Sequence, residues 1–378
     1  MNEFIGNGAI KNLQKILLEN NYKNIFLITG NSPLELENID KILRLIKDSS
    51  QFFHYNDIAP TPNVEGVEKA LNLFNKGYFD LIIAMGGGSV LDIGKCVSVF
   101  SANKGKIQDF LLKNRDIEKK GIPLVLIPTT AGTGSEATHF AVIFIKKTKY
   151  SLTSDKYIPA NYVIIDPELT YSLPKNVTAY TGMDALSQAI ESYWNIYSTR
   201  DSKKYARKAI KLIMNNLLKA VHNPDKESRY NMAIAANYAG KAINITKTTA
   251  CHAISYPITS YFNVPHGQAV ALTLPSMIVF NSEVNNNDVL DIRGCDYVKE
   301  TMKELITLLG TSTFIEAKEK ITKIIKNIGL ETTLSKLGIK TQEEIEILIK
   351  HGFNPERVKN NPRLLTETHL RTILEEIR

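Results

Sequence analysis

The sequence of 378 residues is long enough for two domains, and its 43% hydrophobic and 22% charged residues are typical of globular proteins. The formal net charge is +7, but the lysines are dispersed and lack the interleaved aromatic residues of a strand-binding groove, which argues against nucleic-acid binding. No apolar run approaches the roughly 20 residues that span a bilayer, the N-terminus lacks a signal-peptide pattern, and the three cysteines are too scattered for a disulfide framework, so we expect a cytoplasmic protein that binds no membrane.

Strands and helices alternate along the first part of the chain. Short apolar runs at 24–29, 81–85 and 124–127 each end at a glycine or a proline, and helical patterns at 40–47 and 64–75 lie between them. Buried strands that alternate with helices predict a parallel sheet covered on both faces. In such sheets ligands bind beyond the carboxyl ends of the strands, so these strand ends are candidate site positions.

From about Tyr171 onward, long segments with helical periodicity dominate the sequence. They cover residues 179–197, 202–220, 228–243, 297–309, 314–328 and 341–350. We therefore predict an α/β domain over residues 1–170 and an all-α domain over residues 171–378. The active site is expected in the cleft between these two domains.

A glycine-rich turn follows the second buried strand. Gly86, Gly87 and Gly88, followed by Ser89, open the next helix, where glycine lets the backbone approach a pyrophosphate and the helix N–H groups face it. Ser89 and Asp92 also fit a helix-capping pair, and a tight capped turn is the structural alternative. We predict that this turn binds the cofactor phosphates and that Asp92, at the start of the helix, also contacts the cofactor, although the pattern is not the G-x-G-x-x-G of an ordinary Rossmann domain.

A threonine-rich loop follows the third buried strand and reads PTTAGTGSEAT. Its small hydroxyl residues Thr129, Thr130 and Thr133 can surround the ribose and phosphates of a nucleotide. The alternative is a polar loop with no ligand, and taken alone this motif is a weak signal. Two such loops at the ends of two strands of one sheet are more specific, and they predict a dinucleotide site.

A third group of residues has the chemistry of a metal site. Asp184 and Gln188 are four residues apart and share one face of a predicted helix, while His252 and His266 follow later in the chain. One carboxylate, two imidazoles and an amide oxygen would hold a divalent cation. The alternative is that each histidine is a structural residue with no ligand.

Taken together, these motifs resemble the iron-containing (group III) alcohol dehydrogenase family. The matching strings are GGGSVLDIGK, PTTAGTGSEAT, the helix GMDAL–QAIES, His252 with the later Pro-His-Gly, and Asn361-Pro362-Arg363. The resemblance implies a Rossmann-like α/β nucleotide-binding domain and an all-α metal-binding domain, the dehydroquinate synthase-like architecture. It further implies hydride transfer between NAD(P)H and a carbonyl, a bound Fe²⁺ or Zn²⁺, and a homodimer or larger oligomer. Lys149 matches a family lysine that approaches the nicotinamide ribose.

The sequence departs from the family pattern at three positions. Gln188 stands where the family usually has a metal-ligating histidine. Because an uncharged amide oxygen is a weaker ligand, the alternatives are a low metal affinity or a metal that Gln188 does not coordinate. Tyr256 stands where a histidine is commonly a proton-relay residue, and Thr138-His139-Phe140 replaces the usual Thr-Pro-Phe or Thr-x-Asn. His139 and Tyr256 are therefore candidate proton donors, with water as a third; packing beside Pro257 is the alternative for Tyr256.

These departures resemble one subgroup of the family, the hydroxyethylphosphonate dehydrogenases or phosphonoacetaldehyde reductases. The strings EATHFAVIF, KYSL, SQAIESYW and AINITKTTA carry this likeness. It implies a small anionic aldehyde as substrate, and a phosphonate requires cationic or N–H donors. Lys247 and His139 are the candidates, and a surface helix-end cation is the alternative for Lys247.

Cofactor choice and reaction class leave alternatives open. In NAD-restricted relatives an acidic residue at the end of the second strand binds the ribose hydroxyls, but the segment at 28–32 has no carboxylate, so NADPH is expected to be accepted as well. A general short-chain alcohol dehydrogenase is the main alternative function. A non-redox lyase on the same fold and a catalytically silent binding protein are the others.

Overall fold

The computed structural model describes residues 2–31, 40, 42–46 and 50–378. Within it the chain divides into two compact units, Met1–Leu173 and Pro174–Arg378. No helix of the described residues is both long enough and apolar enough to cross a membrane.

The first unit is built around a parallel sheet. Its strands are β1 (Asn2–Ile5), β2 (Asn24–Thr29), β3 (Gln51–Tyr55), β4 (Leu81–Gly86), β5 (Leu124–Pro128), β6 (Phe140–Ile145), β7 (Thr148–Thr153) and β8 (Tyr162–Ile165). Six of them form one sheet in the order β1-β8-β5-β4-β2-β3, in which every neighbouring pair is parallel. Strands β6 and β7 pair as a separate antiparallel hairpin.

Helices connect these strands, as the alternating pattern predicts. They are α1 (Asn12–Glu19), α2 (Val64–Phe74), α3 (Gly88–Ala102) and α4 (Ile107–Leu111). Residues 42–46 are also helical, while the rest of the helix predicted over 40–47 lies partly outside the described residues.

The second unit contains ten α-helices and, among its described residues, no strand beyond an isolated bridge. They are α5 (Lys175–Trp194), α6 (Arg200–His222), α7 (Lys226–Thr246), α8 (Ala250–Phe262), α9 (His266–Ser282), α10 (Cys295–Leu308), α11 (Phe314–Asn327), α12 (Gln342–His351), α13 (Pro355–Val358) and α14 (Glu367–Glu376). The predicted fold class, an α/β part followed by a helical part, is confirmed.

The position of β4 and β5 in the middle of the sheet explains their composition. Every residue of both strands is buried, because neighbouring strands pair on either side and other elements cover the faces. Helix α3 packs closely on β4, since a Cβ at Gly94 would lie 2.4 Å from Cβ of Ala84. Helix α3 begins two residues after the end of β4, at the carboxyl edge of the sheet, and this contact holds the middle of the helix against the strand.

Candidate active site

The two predicted nucleotide-binding loops meet at one edge of the sheet. In the register of β4 with β5, Gly86 lies opposite Pro128, so both loops leave the sheet at the same level. The backbone N–H of Thr129 donates to the Gly86 carbonyl at 3.0 Å. A Cβ at Gly88 would lie 2.7 Å from Cγ2 of Thr133, so a larger residue there would displace the Thr133 side chain.

Helix α3 begins differently from the sequence prediction. Its N-cap is Gly87 in an extended conformation, and no side chain caps it. The Ser89 hydroxyl donates to the carbonyl of Pro60 at 2.6 Å. The predicted capping pair of Ser89 and Asp92 is therefore wrong, because both side chains are engaged elsewhere.

Asp92 and Lys95 lie beneath the threonine-rich loop and organise it. The Lys95 ammonium is fully buried and donates to the carbonyl and hydroxyl of Ser135, the hydroxyl of Thr138 and the carbonyl of Phe140, at 2.5 to 2.9 Å. Asp92 accepts from the Ser135 hydroxyl at 2.6 Å and from a backbone N–H of β6 at 2.9 Å. Asp92 thus holds the loop from below, and its direct contact with a cofactor stays a prediction.

Burial sets the electrostatics of this pair. It raises the pKa of the Asp92 carboxyl, which the Lys95 ammonium and the Ser135 hydroxyl only partly offset. Burial also lowers the pKa of Lys95, opposed by Asp92 and Glu136. Sequence reasoning missed Lys95, although it lies in the motif GGGSVLDIGK; a lysine on an otherwise apolar helix face was the available signal.

The other two polar residues predicted in this unit lie on or beside the β6–β7 hairpin. Lys149 belongs to β7 and pairs with Phe144 of β6, and its charge is one of those that partly offset the rise in the pKa of the buried Asp92 carboxyl. The imidazole of His139 lies 3.1 Å from the exposed carboxylate of Asp155.

In the second unit, three helices bring the predicted metal ligands together. Asp184 and Gln188 lie on α5, His252 lies on α8, and His266 is the first residue of α9. One ligand atom from each of Asp184, His252 and His266 can be chosen so that all lie within 4.8 Å of one another. The ring centroids of the two histidines are 5.4 Å apart and their planes are inclined by 67°.

Gly267 explains how His266 reaches Asp184. A Cβ at position 267 would lie 1.9 Å from the Tyr180 carbonyl oxygen and 3.1 Å from Cβ of Asp184. Only glycine therefore permits the start of α9 to lie against α5. The glycine of the Pro-His-Gly sequence is therefore required by packing, independently of the predicted ligand role of His266.

The donor atoms of this group fit a divalent cation. Among the described residues, the buried atoms Asp184 Oδ1, Gln188 Oε1 and His252 Nε2 lack a hydrogen bond of normal geometry. His252 Nε2 and Asp184 Oδ1 approach each other at 3.4 Å. Buried polar atoms are nearly always satisfied, and two oxygens with imidazole nitrogens are ligands of Fe²⁺ and Zn²⁺.

The charges in the group are strongly coupled. Burial acts to raise the pKa of the Asp184 carboxyl, but His252, His266 and Gln188 together hold that pKa below its ordinary value. Burial acts to lower the pKa of His252, but the carboxylates of Glu191 and Asp184 raise it to about 9. A buried imidazole between two carboxylates is an environment that favours bound positive charge.

Glu191 contacts the candidate ligand His252 and was not predicted from the sequence. It is fully buried on α5, and its Oε1 accepts from the backbone N–H and hydroxyl of Thr249 and from the backbone N–H of His252. Its Oε2 contacts Nδ1 of His252. The Trp194 indole N–H in turn donates to the Thr249 hydroxyl at 3.0 Å.

Tyr256 and Lys247 lie close to His252 in the sequence, four residues after it and five residues before it. The Tyr256 ring is buried and stacks on His266, with ring centroids 6.2 Å apart and planes 22° apart. Lys247 is partly buried at the end of α7 and has φ 63° and ψ −173°, a backbone region populated almost only by glycine. Asn195 holds this segment by donating to the carbonyls of Thr246 and Lys247.

Comparison with known families covers nearly the whole chain. Residues 2–167 match "Iron-containing alcohol dehydrogenase", and residues 178–378 match "Fe-containing alcohol dehydrogenase family, C-terminal". The chain belongs to the iron-containing alcohol dehydrogenase family. The resemblance and the enzyme class inferred from the sequence are thereby confirmed at the level of the family.

Individual relatives agree with this membership. Long-chain-alcohol dehydrogenase 1 of Geobacillus thermodenitrificans is 34% identical, over 98% of this chain and 93% of the relative. The NAD-dependent methanol dehydrogenase of Bacillus methanolicus is 31% identical, over 98% and 96%. A solved structure of sulfoacetaldehyde reductase from Bifidobacterium kashiwanohense in complex with NAD⁺ is 29% identical, with a TM-score of 0.89 over 100% of this chain and 96% of that one.

Proposed function

We propose that this alcohol dehydrogenase uses NAD(P)H and a divalent metal to reduce a small anionic aldehyde, phosphonoacetaldehyde, to the primary alcohol 2-hydroxyethylphosphonate. The reaction consumes one hydride and one proton per carbonyl. The metal-assisted part of this proposal is supported by the buried side chains of Asp184, His252 and His266, whose potential ligand atoms converge. Among the described residues, Asp184 Oδ1 and His252 Nε2 have no hydrogen bond of normal geometry.

The metal proposal assigns Asp184, His252 and His266 as ligands, with Gln188 as a fourth. When bound, the divalent metal polarises the carbonyl oxygen and NAD(P)H supplies the hydride. The residues of the chain fix the positions of the donor atoms: α5 and α9 hold them rigidly through the contact at Gly267. Rigid helices keep the donor geometry unchanged as charge develops on the substrate oxygen.

The nucleotide proposal assigns Gly86, Gly87, Gly88 and Ser89 to the phosphates, and the threonine-rich loop to the phosphates and ribose. It is supported by the meeting of the two loops at the carboxyl edge of β4 and β5. Lys149 is proposed to approach the nicotinamide ribose. The methanol dehydrogenase relative is NAD-dependent, and the sulfoacetaldehyde reductase structure contains NAD⁺.

Acceptance of NADPH is proposed because the described end of β2, Thr29-Gly30-Asn31, has no carboxylate to repel a 2′-phosphate. Ser32, the last residue of the segment from which this was inferred, lies outside the described residues. Initial rates with the two cofactors test it. Use of NADPH more than about a hundredfold less efficiently than NADH, about 2.7 kcal/mol, would contradict it.

The anionic substrate is proposed from Lys247 and His139. Lys247 holds a backbone conformation that costs on the order of 1–3 kcal/mol, and such strain is retained mostly where it serves function. It lies two residues before Thr249, which donates hydrogen bonds to Glu191, the residue that contacts the proposed ligand His252. The structurally similar sulfoacetaldehyde reductase is named for an aldehyde that carries an anionic sulfonate.

The proton is proposed to come from Tyr256 or His139, or from water. Tyr256 stacks on the ligand His266 and brings a phenol close to the metal group. The His139 imidazole is polarised by Asp155 at 3.1 Å. Tyr256→Phe separates them: a fall in kcat with unchanged KM assigns the proton to Tyr256, and an unchanged kcat removes Tyr256 from the mechanism.

A substrate panel tests the proposed specificity. Purified protein is assayed for NAD(P)H oxidation with phosphonoacetaldehyde, sulfoacetaldehyde, acetaldehyde and butyraldehyde. We expect kcat/KM to be highest for phosphonoacetaldehyde. Equal or faster turnover of the neutral aldehydes would show instead a general alcohol dehydrogenase, the second candidate, which the long-chain-alcohol and methanol dehydrogenase relatives favour.

A further inference from the structure

Glu191 lies directly behind the proposed metal ligand His252, and it is fully buried. Three donors converge on its Oε1: the Thr249 backbone N–H at 3.1 Å, the Thr249 hydroxyl at 2.8 Å and the His252 backbone N–H at 3.2 Å. Its Oε2 faces Nδ1 of the same histidine. The carboxylate therefore holds both the backbone and the ring of His252.

We propose that Glu191 is a positioning residue for the metal centre, which fixes His252 in the tautomer with the proton on Nδ1 and the lone pair on Nε2. An ionised carboxylate only accepts hydrogen bonds, so its contact with Nδ1 requires a proton there. Nε2 is then the ligating nitrogen, and it is the atom that approaches Asp184 Oδ1 at 3.4 Å. Such carboxylate–histidine–metal arrangements orient the ring and strengthen the imidazole as a ligand.

The charges of the pocket agree with this arrangement. Among the described residues, the ion pairs of Asp184 and Glu191 involve only histidine, and no lysine or arginine neutralises them. When both imidazoles are neutral, as ligation of a metal through a ring nitrogen requires, the two buried carboxylates leave a charge that one divalent cation balances. Glu191 therefore contributes half of the compensating charge without touching the cation.

Replacement of Glu191 by glutamine makes a sharp test, because the two side chains have the same shape. The three donors at Oε1 require the amide oxygen on that side, which turns the NH₂ group toward Nδ1 of His252. The NH₂ group donates, so Nδ1 must accept and the proton moves to Nε2. His252 then cannot ligate through the nitrogen that faces Asp184.

We expect Glu191→Gln to weaken Zn²⁺ binding by about 10- to 100-fold, measured by calorimetry on the metal-free full-length protein. Thr249→Val is the matched control, since it perturbs the same buried network but keeps the carboxylate facing Nδ1. We expect it to lower the melting temperature and leave the Zn²⁺ dissociation constant unchanged. Equal losses of Zn²⁺ affinity in both variants, or none in Glu191→Gln, would overturn the proposal.

A readout on the wild-type protein covers the case in which Glu191→Gln does not fold. In the Co²⁺-loaded wild type, a histidine bound through Nε2 gives a paramagnetically shifted, exchangeable N–H proton, which burial behind Glu191 should protect from exchange. Absence of such a protected proton would overturn the inference. It rests on the proposed metal site, but the failures are distinguishable: a wild type that binds no metal refutes that site, whereas normal metal binding by Glu191→Gln refutes only the role of Glu191.

Discussion

At the residue scale, the candidate metal ligands have polar atoms in buried positions, where the loss of hydration costs free energy. Asp184, Gln188 and His252 are almost completely buried, and one polar atom of each lacks a hydrogen bond of normal geometry among the described residues. An unsatisfied buried polar atom costs on the order of 1–3 kcal/mol. A bound cation removes this cost, so metal binding and stability of the second unit should be linked.

Removal of His266, a proposed metal ligand, should therefore abolish metal-assisted turnover. We expect His266→Ala to lower kcat/KM at least about a thousandfold, equivalent to about 4 kcal/mol, with a loss of bound metal measured by elemental analysis. His222→Ala is the control: His222 is exposed at the end of α6, and its Nε2 contacts the carbonyl of Asn327 at 2.6 Å. Full activity of His266→Ala without metal would remove His266 from the ligand set.

The strained backbone of Lys247 predicts that its replacement by glycine improves stability but impairs substrate binding. Lys247→Gly should raise the free energy of unfolding by about 1 kcal/mol, because glycine adopts this conformation without strain. The same substitution should raise KM for phosphonoacetaldehyde while leaving KM for butyraldehyde unchanged. Thermal unfolding and initial rates measure the two effects.

Lys146→Gly serves as the control for Lys247→Gly, since Lys146 also has a positive φ, of 56°, and lies exposed between β6 and β7. We expect it to leave the substrate preference unchanged. If Lys247→Gly left both KM values unchanged, Lys247 would be no part of the anion site.

At the element scale, the sequence predicts those parts of the site that follow from local pattern. Glycine- and threonine-rich segments after apolar runs indicate loops at strand ends, and parallel pairing then brings them together. The contacts of Lys95 and Glu191 could not be predicted in this way. Their partners are 40 to 45 and 58 to 61 residues away, so only the packing of α3 and α5 defines them.

Tertiary packing also explains why the predicted capping pair is wrong. Ser89 and Asp92 have the spacing of a capping box, a pattern that depends only on local sequence. Tertiary contacts outcompete it here: Asp92 bonds Ser135, and Ser89 bonds Pro60. Local patterns predicted the helix itself, which begins at Gly88, but not how its first turn is used.

The close contact between α9 and α5 predicts that a methyl group added at Gly267 destabilises the protein and weakens metal binding. Gly267→Ala would place Cβ 1.9 Å from a backbone oxygen, which forces the two helices apart. We expect a loss of about 3 kcal/mol of stability and a loss of metal affinity, because His266 moves with the start of α9. Thermal unfolding and metal titration measure these.

Gly329→Ala isolates the steric effect at Gly267. Gly329 has φ of 81° and open space around its Cβ position, so alanine there suffers backbone strain without a collision. We expect Gly329→Ala to keep its metal affinity. If Gly267→Ala bound metal as tightly as Gly329→Ala, the packing explanation of the Pro-His-Gly sequence would be wrong.

The threonine-rich loop should collapse when its buried support is removed. Lys95→Met leaves two carbonyls, two hydroxyls and the Asp92 carboxylate without their buried cation. We expect Lys95→Met to lower the free energy of unfolding by about 3–5 kcal/mol and to weaken NADH binding. Thermal unfolding measures the first effect, and the fluorescence of bound NADH measures the second. Lys120→Met, at an exposed lysine of the same unit, should change neither.

At the scale of the whole molecule, the candidate cofactor residues and the candidate metal ligands belong to different units. The glycine- and threonine-rich loops lie in Met1–Leu173, and the Asp184, His252 and His266 group lies in Pro174–Arg378. Each unit matches its own part of the iron-containing alcohol dehydrogenase family. The order of motifs along the chain made the enzyme class predictable, whereas the substrate depends on side chains such as Lys247 that the family pattern does not fix.

The most direct test of metal-assisted aldehyde reduction is the absorbance of NADH and NADPH during incubation with phosphonoacetaldehyde, before and after metal removal by a chelator. We predict that absorbance falls with the untreated protein, stays constant after metal removal, and falls again when Fe²⁺ or Zn²⁺ is restored. Undiminished oxidation of the cofactor after complete metal removal would contradict the assigned metal centre. Consumption of substrate without any change in absorbance would contradict hydride transfer itself and indicate a non-redox enzyme on this fold.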